Sequence, residues 1–343
     1  MNNDPIIVQS DLDTKQERYY FSCGMALNAL YTGDEVRLLK MLEASFDVKL
    51  ACRENQLTIT GSASSIKKAT RFFDALSHLG KLRNEPAEKR DIELLLKTFT
   101  LPDGPQLDEL WKGRIKLGNG KKDILPRSRS QLTYLNLMRN KDVVFGVGPA
   151  GTGKTYLAMA MAVSNFLSGN VSKIVLTRPA RESGERIGYL PGSMEDKVSP
   201  YLRPLYDALY EMIPAKDAQD LIQRGMIEIA PLGFMRGRTL NNAFIILDEA
   251  QNTTVDQMLM FLTRMGFGSR CLITGDPSQS DLQRNEPSGL LHAVNHLQKL
   301  PEIGFSFFTT KDVVRNSLLE KIILAYTEKD NSPKENIASP QEK

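Results

Sequence analysis

From residue 143 onward, short, mostly apolar blocks alternate with longer stretches whose apolar residues recur at helical spacing. The short blocks are Val143–Val147, Lys173–Thr177, Ile227–Ala230, Ala243–Leu247, Arg270–Thr274 and Phe305–Phe308. Their length and β-branched content predict buried strands. Between them, Leu157–Val163 consists largely of good helix formers, and Asn285–Gly289 leads into a helix through about Leu297. Asp196–Ile213 is a helical region that Pro200 and Pro204 should interrupt, and Asp312 opens a last helix to about Tyr326. Strands alternating with helices predict an α/β core built on a parallel sheet.

The pattern before residue 130 is different. Asp34–Ala44 has an amphipathic helical spacing, Val48–Cys52 and Leu57–Thr60 read as strands, and Ser64 or Ser65 is placed to cap a helix to about Leu79. The order helix, strand, strand, helix resembles a reduced KH-type RNA-binding fold, although the GXXG loop of such domains is missing. Weak RNA contact and a packing or oligomerisation role are equally open for this unit. The expected organisation is a flexible N-terminus over 1–22, a small α+β KH-like domain over 23–80, and a linker over 81–129. The α/β domain follows over 130–327, then a disordered tail over 328–343.

The chemistry is concentrated after the first strand of the core. Gly148-Pro149-Ala150-Gly151-Thr152-Gly153-Lys154-Thr155 fits the phosphate-binding pattern G-x-x-x-x-G-K-[ST], between a strand and a helix. A phosphate chain must be wrapped by backbone N–H groups, and Gly148, Gly151 and Gly153 leave room for that approach. A helix N-terminus adds unpaired N–H groups and a favourable dipole. Lys154 is placed to reach the β- and γ-phosphates of ATP, and the Thr155 hydroxyl to ligate Mg²⁺. The strand Ala243–Leu247 ends in Asp248-Glu249, a Walker B arrangement. Asp248 is expected to hold Mg²⁺ and Glu249 to act as general base toward water. Gln279, in Gly275-Asp276-Pro277-Ser278-Gln279, is placed to sense the γ-phosphate. Gln131 precedes the loop strand. Its amide could read an adenine edge, or simply open a helix.

Composition narrows the class without deciding it. The 343 residues are 41% hydrophobic and 25% charged, with a net charge of +3, too mild to imply nucleic acid by itself. Lys112, Arg114, Lys116, Lys121, Lys122, Arg127 and Arg129 nevertheless cluster against the single acid Asp123. This segment could track a phosphate backbone or be a solvated linker. Cys23, Cys52 and Cys271 are isolated, which suggests a reducing cytoplasm rather than a disulfide framework. No apolar run is long enough to predict a signal peptide or a membrane span.

In order along the chain, GPAGTGKT, TRPARESGERIGYLPG, SPYLRPLYDAL, FIILDEAQN, LITGDPSQ and KDVVR resemble the PhoH family of ATPases. The resemblance covers roughly residues 112–327 and implies a single RecA-like core related to superfamily 1 helicases. It also implies a link to RNA metabolism, with the longer bacterial members associated with the endoribonuclease YbeY. Carried onto this chain, the nucleotide residues are Gly148, Gly151, Gly153, Lys154, Thr155, Asp248, Glu249 and Gln279. A single lobe lacks the arginine that a second lobe would supply to the γ-phosphate. The expected active form is therefore a ring, a hexamer, with Arg315, Arg178 or Arg181 as the candidate finger. Arg315 could instead act in cis as a sensor, and Arg178 could form a structural ion pair. The leading expectation is ATP hydrolysis that remodels RNA or an RNA–protein complex. The alternative is an ATP-gated adaptor for an endoribonuclease, and a small-molecule kinase fits Glu249 and Gln279 less well.

Overall fold

The computed structural model describes residues 9–10, 17–22, 35–53, 56–83, 92, 95–96, 99, 107–118, 121, 123–179, 194–283 and 285–313. The chain divides into two compact units. One holds the residues up to Arg114 together with Leu125–Arg129, and the other holds Ile115–Ile124 and the chain from Ser130 onward.

The first unit is an α+β layer. Its strands are β1 (Gln9–Ser10), β2 (Glu17–Ser22), β3 (Val48–Arg53) and β4 (Gln56–Gly61), and its helices are α1 (Glu35–Phe46), α2 (Ala63–Arg83) and α3 (Leu107–Lys112). The sheet is antiparallel in the order β1-β2-β4-β3. Helical spacing puts Leu38, Leu42 and Phe46 of α1 and Phe72, Phe73 and Leu76 of α2 into one core with Leu57 and Ile59 of β4. The rings of Phe46 and Phe72 lie 5.2 Å apart. Ser62 Oγ, rather than Ser64 or Ser65, accepts from the Ser65 amide at the start of α2.

Within the expected flexible N-terminus, Glu17–Ser22 forms β2, which pairs along its whole length with β4, setting Tyr19 opposite Ile59 and Phe21 opposite Leu57. The described residues of the stretch expected as a linker belong to the two compact units. Ile92, Leu95, Leu96 and Leu125 are buried in the core of the first unit, and Phe99 packs against it. Ile115–Ile124 belongs to the second unit, where an antiparallel bridge joins Ile115 to Ile124. There Ser164 donates to the Lys116 carbonyl (2.7 Å) and Lys121 Nζ to the Glu211 carbonyl (3.4 Å). That ties part of the basic stretch to the helices of its own unit.

The second unit has the α/β, RecA-like P-loop architecture expected. Among the described residues its six strands are β5 (Val143–Val147), β6 (Lys173–Arg178), β7 (Ile227–Pro231), β8 (Ala243–Leu247), β9 (Arg270–Gly275) and β10 (Ile303–Phe307). All pair in parallel, in the order β10-β5-β9-β8-β6-β7. Both faces are covered, so the strands are apolar almost throughout. Val144, Ile174, Leu176, Phe244, Ile246 and Leu272 face one core, shared with α4 (Arg129–Asn140), α5 (Lys154–Leu167) and α6 (Met194–Met212). Their neighbours Phe145, Val147, Val175, Ile245, Leu247 and Ile273 face the other, shared with α8 (Val255–Leu262) and α9 (Gly289–Leu297). A shorter helix, α7 (Ala215–Gln223), follows α6.

Helix α6 runs through Pro200 and Pro204 without a break, contrary to expectation. Each proline forfeits a backbone hydrogen bond. The buried stripe Leu202, Leu205, Leu209 and Met212 seats the helix on the sheet, and its burial outweighs that loss.

At the opposite end of β6 from the phosphate loop, Glu228 accepts from Lys173 (2.6 Å) and from Arg238 Nη2 (2.8 Å). The hydrogen bond from Arg238, followed by that from Lys173, holds the Glu228 carboxyl down at about 2, against the opposing effect of burial. A depressed carboxyl stabilises the fold above its unfolded value and loses that contribution as pH falls. Acid titration followed by circular dichroism should therefore lose stability between about pH 4.5 and 2. Glu228→Gln should be less stable at neutral pH and flatten that window. An identical acid profile in the variant would remove Glu228 from the account. Asp312, expected to open a last helix, ends a short 3-10 turn (Thr310–Asp312); the rest of that helix, with Arg315, and the tail lie outside the described residues.

Candidate functional site

The site forms where β5, β8 and β9 end. β9 lies between the strand that enters the phosphate loop and the strand that carries the acids, so its own end serves both. The loop leaves β5 at Gly148, whose φ is 144°. A Cβ there would stand 2.4 Å from the Phe308 carbonyl, so only glycine fits. Gly151 and Gly153 are also left-handed, with φ of 78° and 82°. Gly153 opens α5 without a side-chain cap, which leaves the first amides of the helix facing the loop.

Lys154 is buried and folds back over the loop. Its Nζ donates to the carbonyls of Gly148 and Pro149, both at 2.7 Å, and to Thr152 Oγ1 at 3.3 Å. Burial lowers its pKa, while the charges of Asp276, Asp248 and Glu249 act in the opposite direction. The ammonium is thus preorganised over the loop by neutral acceptors, with three carboxylates nearby.

Thr155 and Asp248 meet directly. Thr155 Oγ1 and Thr274 Oγ1 each donate to Asp248 Oδ1 at 2.7 Å. A hydroxyl and a carboxylate this close are the hard oxygen donors that Mg²⁺ takes, so the residues fit that ion. Mg²⁺ would supply charge neutralisation on the phosphate oxygens.

Glu249 follows in a left-handed conformation, φ 53°, at the turn that ends β8. For a non-glycine residue this geometry costs on the order of 1–3 kcal/mol, and such outliers cluster at functional sites. Its carboxylate is clamped from two sides. Arg178 Nη2 donates to Oε1 at 2.6 Å, and the Gln251 amide donates to Oε2. Arg178 Nε also lies 3.4 Å from Asp248 Oδ2, and Nη1 donates to the Tyr201 carbonyl. Of the arginines proposed as fingers, Arg178 is therefore engaged within its own chain. Arg181 and Arg315 lie outside the described residues.

Gln279 is exposed and is the last residue of the short 3-10 turn Pro277–Gln279, which Asp276 caps just after β9. Gln131 lies against the loop, and its Nε2 donates to the Thr152 carbonyl at 2.9 Å. At 3% exposure the amide braces the phosphate loop in this structure, a use the adenine reading did not anticipate. Pro149, Ala150 and Thr152 form the loop wall, and Ala150 N donates to Asp276 Oδ2 at 2.9 Å. The roles of Gln251, Thr274 and Asp276 were missed in the sequence. Gln251 and Asp276 sit inside the motifs FIILDEAQN and LITGDPSQ, but only their spatial partners give them work.

The sequence matches the PhoH-like protein family over residues 123–327. The chain belongs to the PhoH family. It is 43% identical over 294 residues to a PhoH-like protein of Bacillus subtilis, covering 86% of this chain and 92% of that one. A PhoH-like protein of Mycobacterium tuberculosis is 44% identical over 291 residues, 84% and 81% of the two chains. Protein PhoH of Escherichia coli K12 is 40% identical over 206 residues, 60% and 58%. An IstB-like ATP-binding protein family also matches residues 61–181. The PhoH-family chain is accordingly a P-loop NTPase with an ATP-binding domain. No described helix is long and apolar enough to cross a membrane.

Proposed function

We propose that this PhoH-family chain hydrolyses ATP with Mg²⁺ and uses the cycle to remodel RNA or an RNA–protein complex. The observation that carries hydrolysis is the geometry around Asp248 and Glu249. One carboxylate is tied to Thr155 and the other stands beside it, held by Arg178 and Gln251. In this reading Lys154 and the amides of residues 151–155 orient the phosphates. Asp248 and Thr155 hold the metal, and Glu249 takes a proton from the attacking water. Gln279 reports on the γ-phosphate. Gln131 bounds the nucleotide site through the loop.

The RNA substrate rests on the family resemblance and on the basic stretch Lys112–Arg129. Lys116 and Lys121 of that stretch are anchored in the ATPase unit. A cytoplasmic setting and an endoribonuclease partner of the YbeY type belong to the same reading. So does a hexameric ring in which Arg315 reaches the γ-phosphate of a neighbour. The small N-terminal unit is a KH-like RNA contact in this scheme.

The test is phosphate release from ATP and Mg²⁺, with and without single-stranded RNA, on protein sized by light scattering. A several-fold rise with RNA in a ring-sized species is expected. A rate indifferent to RNA but raised by the nuclease would replace the motor with a gated adaptor.

A further inference from the structure

Gln251 is 1% exposed, and both ends of its amide are engaged. Nε2 donates to Glu249 Oε2 and reaches the Gln279 carbonyl at 3.4 Å. Oε1 accepts from the Asp276 backbone amide at 3.0 Å. Asp276 in turn accepts from Ala150 N of the phosphate loop through Oδ2 (2.9 Å) and from Ser278 through Oδ1. A continuous line of hydrogen bonds therefore runs from the loop amide, through Asp276 and Gln251, to the carboxylate of Glu249. Of the uncharged side chains, an amide of this length offers a donor to a carboxylate at one end and an acceptor to an N–H at the other. A glutamate here would set two carboxylates against each other.

We propose that Gln251 is a positioning residue. It fixes the Glu249 carboxylate in register with the 275–279 segment, so that the base is aimed only when that segment and the phosphate loop are correctly set. The proposal rests on Glu249 acting as the base. Gln251 does not touch the reacting atoms, and its effect passes through Glu249. Misplacing a catalytic group by about 1 Å can cost about a hundredfold. Loss of Gln251 should therefore lower kcat by roughly ten- to a hundredfold and leave KM within about twofold.

The experiment is a double-mutant cycle read in single-turnover ATP hydrolysis. Gln251→Ala is made alone and together with Glu249→Gln. Gln251→Met, which keeps the length and loses both hydrogen-bonding ends, controls for packing beside Gly275. A fluorescent ATP analogue and the melting temperature report binding and folding of each. The expected result is that Ala and Met are equally slow in the wild-type background, while either costs less than about threefold once Glu249 is Gln, because coupled sites are not additive. The same loss in both backgrounds, or full activity in Gln251→Met, overturns the proposal while leaving the base intact. Normal hydrolysis by Glu249→Gln alone removes the base reading, and with it the function assigned to Gln251.

Discussion

Glu249→Gln is expected to bind ATP as tightly as the unsubstituted chain while hydrolysing it about 10²–10⁴-fold more slowly. The amide is isosteric, so the contact with Arg178 Nη2 through an oxygen can persist, but a neutral amide cannot take a proton from water. The variant should accumulate as a nucleotide-bound species. Equilibrium binding of labelled ATP, set beside phosphate release, separates the two effects. Equal losses in affinity and turnover would mean that Glu249 mainly holds the nucleotide, and the base would have to be sought elsewhere.

Lys154→Ala is expected to fail earlier in the cycle. The ammonium donates to the Gly148 and Pro149 carbonyls and is the cation held inside the loop. Its loss removes both a loop brace and the charge that meets the β- and γ-phosphates. Removing one preorganised donor from a site of developing charge costs about 10²–10³-fold in kcat. Here KM should rise as well, because the loop loses its internal ties. Isothermal titration with ATP and steady-state kinetics check both quantities. A kcat within about tenfold of the unsubstituted chain would contradict the role given to the lysine.

The ATPase core was legible because its signals are local. Ala243–Leu247 reads as a strand from five apolar residues and coincides with β8, and the glycine spacing of 148–155 states its own purpose. What stayed hidden depends on partners far along the chain. β2 has no apolar–polar alternation, with Tyr19, Tyr20 and Phe21 side by side, and is a strand through its pairing with β4, some forty residues later. Pro200 and Pro204 argue locally for a break, yet packing on the sheet keeps α6 whole. Gln251 is two residues from Glu249 in sequence. Its importance comes from Asp276, 25 residues away, whose amide it accepts. Gln131 illustrates the reverse: its nearness to the loop was readable, but the atom it bonds was not.

The path of the chain between the two units has a practical corollary. It leaves the first unit after Arg114, runs through Ile115–Ile124 in the second, returns for Leu125–Arg129, and crosses again at Ser130. The units are thus stitched by three passages of one thread. A single protease nick between Arg114 and Ile115 would not free the halves, since Leu125 stays buried among Ile92, Leu95 and Leu96. Truncations meant to isolate the ATPase unit meet the same knot. Starting at Ser130 discards the strand bridge at Ile115, and starting at Ile115 carries along an orphaned apolar leucine. A clean excision keeps Ile115–Ile124 and replaces Leu125 with a polar residue.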